Sequence, residues 1–600
     1  MKTEFHIRLE RRVQELRQLY MQLYGSSAMF ESLTEGLEAF YNSRSPRLKA
    51  RDTEKDGTDW YKSGEMLGMM LYIDNFAGNL QGVREKLDYL EQANINYIHL
   101  MPFLDTVPER SDGGYAVADF RKVRPDLGTM EDLEALTAAC HEKGMNVCMD
   151  FVMNHTSEDH EWAKRARNGE GKYMSRYFFY ADPSVPAAYE KTVPQVFPTT
   201  APGNFTWLAD AEHYVMTTFY PYQWDLNYAN PLVFNEMMYN FLYLANRGVD
   251  VVRIDAVPYI WKEIGTSCRN LPQVHTIVRM MRLIGEIVCP SVILLGEVVM
   301  APEHLAPYFG TEEAPECHLL YNCTTMATTW HTVATRDTRL LRMQLDTASR
   351  LPREQVFLNY LRCHDDIGWG LDYPTLRRWG MEEVPHKKYL NDYFRGFTGS
   401  DARGELYNED PITGDARLCG TTASLCGLEG ADPDTAIRKI TMLHAMMLFQ
   451  SGIPVLYSGD EIGQCNDWDY RLDPNKAADS RYLHRGVMPW DQTAALQDSE
   501  SAQAKIFSGL SRLEQLRKAH PAFSAQADFW TFDTGSDRVL GIVRFHAGEL
   551  LIGCFNFDEA PYLLKKQSRT VRNLLTDGLC DGQIQIPGFD FVWLSACTEK

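Results

Sequence analysis

The chain has 600 residues, 60 basic and 81 acidic, giving a formal net charge of −21 and a pI near 5.3. A single hydrophobic core stops growing at about 250–300 residues, so this length requires several domains or large insertions. Apolar residues at 44% and charged residues at 24% exclude wholesale disorder, and the acidic balance excludes nucleic-acid binding, which needs a basic face.

From residue 5 to 24 the apolar Ile7, Leu9, Val13, Leu16, Tyr20 and Leu23 recur at helical spacing, and a second helical run covers 29–41. Residues 1–65 therefore read as a helical N-terminal domain that packs against the next domain or a second subunit. Short apolar runs then alternate with amphipathic segments. The strand candidates are 67–73, 97–100, 146–150, 249–255, 292–297, 318–321, 356–362 and 454–457, with helices such as 80–93 and 130–143 between them. Eight strands in βα alternation predict an α/β fold, a (β/α)₈ TIM barrel over 66–152, 226–365 and 436–520.

A barrel uses about 30 residues per βα unit, and the intervals 150–255 and 365–454 are far longer. Each must carry an insertion on the catalytic face, expected at 153–225 and 366–435. Past residue 520 short β runs, among them Val539-Leu-Gly-Ile-Val-Arg-Phe and Phe589-Asp-Phe-Val-Trp-Leu, predict a C-terminal antiparallel β domain at 521–600.

No run approaches the about 20 apolar residues that a bilayer crossing needs. The opening MKTEFHIR has no apolar stretch of signal-peptide type. The 13 cysteines are scattered, odd in number and without a C-x-x-C pair, which reads as reduced thiols in a cytoplasmic protein. Aromatic residues at 12% suit sugar-stacking surfaces as well as large cores.

Four segments put polar groups at the C-terminal ends of predicted barrel strands, where barrel enzymes keep their chemistry. They are Asp150-Phe-Val-Met-Asn-His155, Arg253-Ile-Asp255, Gly296-Glu297 and His364-Asp365-Asp366. One strand-end acid is commonly a helix cap; four in register are not. Two carboxylates flanking a glycosidic bond act as nucleophile and general acid/base through an oxocarbenium-like transition state. Arg253, two residues before Asp255, shares its strand face and is expected to hold Asp255 ionised. Glu297 follows Val292-Ile-Leu-Leu-Gly without an adjacent cation, so a dry setting is expected to raise its pKa toward that of a proton donor. His155 and His364 suit hydrogen bonds to sugar hydroxyls, and Asp365 suits the hydroxyls beside the reacting carbon.

These segments, DFVMNH, GVDVVRIDAV, GEVV and CHDDIG, resemble the four motifs of the α-amylase family of glycoside hydrolases and transglycosidases. The resemblance implies that Asp255 is the nucleophile, Glu297 the acid/base and Asp365 the transition-state stabiliser of a retaining reaction, with carboxyls about 5–5.5 Å apart. A closer resemblance, to the amylosucrase subgroup, runs along nearly the whole chain, including LMPFLDTVPERSDGGYAVADFRKV, TTFYPYQWDLNYANP and DPNKAADSRYLHR. It implies a donor pocket closed by an Asp112–Arg481 salt bridge, with Tyr115 stacked on the glucosyl ring and Phe219 lining the same pocket. Gln223 and Asp366 are expected on the fructosyl side. The segment around Tyr393-Phe-Arg-Gly-Phe is shorter than the subgroup's; Arg417 of GDAR matches an acceptor-contacting arginine, while Arg395 and Arg403 have no match.

By this resemblance the substrate is sucrose, the acceptor an α-1,4-glucan, and the protein needs neither metal nor other cofactor. It is expected to act as a monomer or homodimer, without nucleic-acid or membrane partners. Hydrolysis by water, action on another disaccharide as α-glucosidase or isomerase, and a non-catalytic binding scaffold are the alternatives. Retention of Asp255, Glu297 and Asp365 speaks against the scaffold. Asp460 and Glu461 read as structural hydrogen-bonders, and Asn154, in a segment that helps bind calcium in many α-amylases, as no metal ligand.

Overall fold

The computed structural model describes residues 3–300, 302–564 and 570–596. Eight parallel strands close into a barrel: β1 (Gly68–Leu71), β2 (Tyr97–Leu100), β3 (Asn146–Val152), β4 (Val251–Asp255), β5 (Ile293–Gly296), β6 (Leu319–Tyr321), β7 (Val356–Asn359) and β8 (Ile453–Tyr457). Each strand is buried along its length, which is why these runs are almost continuously apolar rather than alternating. Register aligns the site: Arg253 of β4 pairs with Asp150 of β3, and Ile254 pairs with Gly296 of β5.

All eight predicted strands are present, with one informative difference. The run expected to continue to residue 362 leaves the sheet after Asn359, so His364 and Asp365 stand on a loop beyond β7. Arg362 in that loop is buried and donates to Asp460 Oδ1 at 2.9 Å and to the His484 carbonyl at 3.0 Å. A buried charge must be paired, and here the pairing draws the chain out of strand geometry.

The N-terminal segment forms α1 (Glu4–Tyr24), α2 (Ser27–Ser43) and α3 (Pro46–Lys55), each opened by a hydroxyl N-cap: Thr3, Ser26 and Ser45. They pack on the barrel's outer helices α4 (Pro231–Ala245) and α5 (Pro272–Val288). Tyr20 donates to Asn235 at 2.9 Å, and Arg8 to the Ile287 carbonyl at 3.0 Å. Buried Arg44 forks onto Asp52 and also reaches the Ala245 carbonyl. Periodicity missed α3, whose RLKARDTEK has little apolar face; Ser45-Pro46, a cap followed by proline at N1, was its signal.

Two insertions stand on the strand C-terminal side. In the first, His155–Ser157 pairs antiparallel with Gln223–Asp225, and Phe179–Tyr180, His213–Met216 and Phe205–Leu208 form a small sheet. In the second, Ile367–Gly368, Arg417–Cys419 and Glu405–Tyr407 make a three-stranded sheet. Near the end, Asp528–Phe532, Val539–His546, Glu549–Asn556, Phe591–Ala596, Val571–Asn573 and Leu579–Cys580 form a six-stranded antiparallel sheet. It docks on α6 (Pro433–Phe449) through Phe449, which packs against Phe523, Phe555 and Trp593. Among the described residues no helix is long and apolar enough to cross a membrane, and every cysteine is a free thiol.

Candidate active site

The polar ends of β3, β4 and β5 converge on one guanidinium. Arg253, 2% exposed, places Nη1 2.5 Å from Asp150 Oδ1 and 2.5 Å from Asp255 Oδ1, and Nη2 2.8 Å from Glu297 Oε1. The cation expected to serve Asp255 therefore serves Glu297 as well. After Asp255 the chain turns through Ala256 in the left-handed region (φ 49°), and the Ala256 amide donates to Glu297 Oε2 at 2.9 Å. Strained residues of this kind cost about 1–3 kcal/mol and persist where the surroundings over-determine them, commonly at active sites.

Burial raises both acids. Glu297 is pushed up by desolvation against the pull of Arg253, with the Asp365 charge adding to it. Asp255 is likewise raised by burial, against Arg253, with Glu297 and Asp150 adding. This differs from the sequence expectation of a plainly ionised Asp255. Two carboxyls on one cation in a dry site hold a proton between them. Arg253 touches both acids, Asp255 through Nη1 and Glu297 through Nη2, and the Ala256 amide adds a further donor to Glu297. Asp365 behaves oppositely: burial raises it, but His364, Arg481, Arg485 and Arg253 together hold it well below the ordinary carboxylate range.

Behind Arg253 lies a hub that joins Asp150 and Tyr115 to His99, which the motifs did not include. Asp150 accepts from His99 Nε2 at 3.0 Å and from the Tyr115 hydroxyl at 3.2 Å. Tyr115 stacks on His364, with ring centroids 5.3 Å apart at 19°, and its hydroxyl lies 2.6 Å from His364 Nε2. One Tyr115 face, expected for sugar stacking, is therefore taken by histidine. His155 Nε2 lies 3.2 Å from the Tyr115 carbonyl, and its ring is 5.3 Å from Phe219, which in turn is 5.3 Å from Tyr259. Burial lowers the His155 pKa to about 4 and that of His364 to about 3, so both rings are neutral at pH 7. His364 Nδ1 is buried without a protein partner.

Asp112 and Arg481, 369 residues apart, meet at 3.0 Å. Asp112, Gly113 and Gly114 are consecutive left-handed residues, and a Cβ on Gly114 would stand 2.8 Å from the Pro102 carbonyl oxygen, so glycine is required there. Arg481 is held from behind by Asp479 at 2.7 Å. Gln223, expected toward the fructosyl side, is instead wholly buried behind Asp112. Its Nε2 donates to Asp112 Oδ2 at 3.2 Å and its Oε1 accepts from the Tyr220 amide at 3.0 Å. Asp366 meets Arg417 at 3.2 Å, and Arg417 leaves 41% of its side chain exposed. Arg395 and Arg403 do not join this cluster: Arg395 faces Glu409 and lies over Phe397, and the Arg403 backbone ties to Ser424 and Asn466.

The two insertions touch above this pair. The Tyr220 and Tyr407 hydroxyls are 2.8 Å apart, Thr199 donates to Asn408 at 2.7 Å, and Arg481 lies 5.2 Å over the Tyr407 ring. Asn154 Oδ1 accepts from buried Lys262, whose ammonium also pairs with Asp225 at 2.9 Å, so an internal cation occupies that position. Asp460 and Glu461 are engaged by Arg362, Thr422, Tyr89 and the Gly459 amide.

Residues 46–366 match the model of the α-amylase catalytic domain. The chain is 31% identical over 457 residues to a trehalose synthase of Thermus thermophilus, covering 75% of this chain and 42% of that protein. It is 31% identical to a trehalose synthase of Pimelobacter sp., covering 64% and 63%, so it spans less than two thirds of either relative's length. With a glucosylglycerate phosphorylase of Allomeiothermus silvanus it shares 30% identity over 80% of this chain and 81% of that one. A crystal structure of a trehalulose synthase mutant bound to Tris superposes with a TM-score of 0.69 at 19% identity, covering 90% of this chain and all of that one. The cluster around Arg253 stands at the C-terminal ends of the barrel strands, the face on which barrel enzymes carry their chemistry, and the chain belongs to the α-amylase family.

Proposed function

We propose that the protein is a retaining glucosyltransferase that cleaves sucrose, releases fructose and passes the glucosyl unit to an α-1,4-glucan. The observation that carries this reading is a pair of buried acids, Asp255 and Glu297, bridged by one guanidinium, with the Asp112–Arg481 ion pair on the same face of the barrel. Ionised Asp255 attacks the anomeric carbon as the bond to the leaving oxygen breaks, and the proton of Glu297 goes to that oxygen. The glucosyl–Asp255 ester is then opened by an acceptor hydroxyl, whose proton returns to Glu297. Asp365, kept ionised by its cations, meets the ring hydroxyls and the positive charge that develops at the anomeric carbon. Two acids within reach of one guanidinium fit the short carboxyl separation of a retaining enzyme.

The Asp112–Arg481 pair supports a blind pocket for one glucosyl unit rather than a through-going cleft. Neutral His155 and His364 suit an uncharged sugar. Arg417, partly exposed and tied to Asp366, supports an acceptor edge. A second reading keeps the same chemistry with another α-glucoside as donor or a non-glucan acceptor, as the relatives suggest: trehalose for a synthase, inorganic phosphate for a phosphorylase. Water as acceptor would make the protein a sucrose hydrolase.

A donor panel separates these. Sucrose, trehalose and glucosylglycerate are each supplied alone, with maltooligosaccharide and with phosphate. Fructose release with acceptor lengthening is the expected result. Equimolar glucose and fructose unaffected by acceptor would replace transferase with hydrolase. Turnover of trehalose or glucosylglycerate but not sucrose would overturn the donor assignment.

A further inference from the structure

Arg253 and Arg481 have roles in the proposed reaction; a third buried arginine, Arg485, has none. We propose that Arg485 is a positioning residue for Asp365: its guanidinium pins the His364–Asp365 backbone and supplies the charge that holds Asp365 ionised in the transition state. This rests on the reading of Asp365 as the stabilising acid.

Arg485 is 3% exposed. Its Nε donates to the His364 carbonyl at 2.7 Å, Nη2 stands 3.7 Å from Asp365 Oδ1, and Nη1 is buried without a protein partner. The other two arginines are committed elsewhere. Arg253 contacts Asp150, Asp255 and Glu297 within 2.8 Å. Arg481 contacts Asp479 and Asp112 within 3.0 Å and reaches Asp365 only at 3.9 Å. Among the described residues, Asp365 is the one carboxylate that Arg485 pairs with. A buried cation is costly unless paired, and the Asp365 contact together with the nearby Asp479 charge offsets that cost.

Geometry makes Arg485 a junction of four barrel positions. Its carbonyl accepts from Asn75, after β1, at 2.7 Å. Its Nη1 would lie 2.9 Å from a Cβ on Gly113, in the loop after β2, and that glycine leaves room for the guanidinium. The His364 carbonyl, after β7, is approached by His484 Nε2 at 3.1 Å as well as by Arg485. Arg362 fastens the same segment, through the His484 carbonyl and Asp460, to the turn after β8. The loop that left the sheet after Asn359 is thus held by Arg485 where a strand would otherwise hold it.

Asp365 is faced by Cys363, His364 and Asp366 from its own segment, Arg253 from β4, Glu297 after β5, and Arg481 and Arg485 after β8. Tyr72, Tyr115 and Arg417 also act on it. Removing one of its cations raises its pKa and weakens the field that favours its ionised form.

The test uses full-length Arg485→Gln and Arg485→Lys with sucrose and with 4-nitrophenyl α-glucoside, which probes the site whichever disaccharide is the natural donor. Wild type and Asp365→Asn are run alongside. Wild type inactive on both donors, or Asp365→Asn fully active, would sink the reading of the site itself. With that reading intact, Arg485→Gln is expected to lose about 10²-fold in kcat with a smaller change in KM. Arg485→Lys is expected to recover part of that loss, because it restores the charge, and to stay below wild type, because the Nε bond to His364 is gone. Equal kcat in Arg485→Gln and Arg485→Lys overturns the charge role. Wild-type kcat in Arg485→Lys overturns the positioning role, and this second variant decides if Arg485→Gln fails to fold.

Discussion

At the scale of single residues, one guanidinium organises three carboxylates, and the protonation states follow from what each acid touches. Glu297→Gln removes the proton donor without adding charge, so activity on sucrose is expected to fall about 10²–10⁴-fold. With α-glucosyl fluoride, whose leaving group needs no protonation, the first step should be largely spared; equal loss on both donors would contradict the acid role. Asp255→Asn should lose on the order of 10⁴-fold or more on every donor. His155 and His364, lowered to about 4 and 3 by burial, carry no charge from pH 6 to 8. Neither should titrate in that range by NMR, and a His155 midpoint near 6.5 would contradict its burial. The strand-end acids were legible in the sequence because each closes an apolar run. The hub of His99, Asp150 and Tyr115, the burial of Gln223, and Arg485 were not. Their roles come from side chains that meet across the barrel, and linear spacing does not encode such meetings.

Elements show the same division. All eight barrel strands could be read from apolar runs, since strands buried on both faces admit little else. The departure after Asn359 could not, because Arg362 finds its carboxylate almost a hundred residues later, at Asp460. Asp250, at the entry to β4, anchors α3 through Arg51 at 2.7 Å and Lys55 at 3.5 Å, and also bonds His141 at 2.8 Å. Although burial raises it, His141, Lys55 and Arg51 hold its folded pKa far below the unfolded value of about 3.9. Its contribution to stability is therefore full above that unfolded value and is lost as pH falls through the folded one. Asp250→Asn should destabilise by about 3 kcal/mol at pH 7 in denaturant titration, and by less near pH 2; an equal loss at both pH values would contradict the linkage. Between the insertions, Tyr407→Phe removes only the hydroxyl that meets Tyr220. The Asp112–Arg481 closure should loosen, raising KM for sucrose a few-fold with kcat little changed, as expected for lost ground-state binding. An unchanged KM would show that the insertions are held together by other contacts.

Across the whole molecule, the length that exceeds one core resolves into a closed barrel, helices on its outer wall, two insertions on its catalytic face and an antiparallel sheet at its end. The charge of −21 has a local counterpart, since five acids, Asp112, Asp150, Asp255, Glu297 and Asp365, are gathered in one site and are offset in part by three arginines, Arg253, Arg481 and Arg485. Such a balance suits a neutral substrate whose positive charge appears only in the transition state. The family follows from this architecture; reaction, donor and acceptor belong to the proposal above. The most direct test of the central claim is time-resolved proton NMR of the first product formed from sucrose, read before the free sugar mutarotates. A double displacement through Asp255 predicts release of fructose with the transferred glucosyl unit in the α configuration. A first product in the β configuration would contradict it.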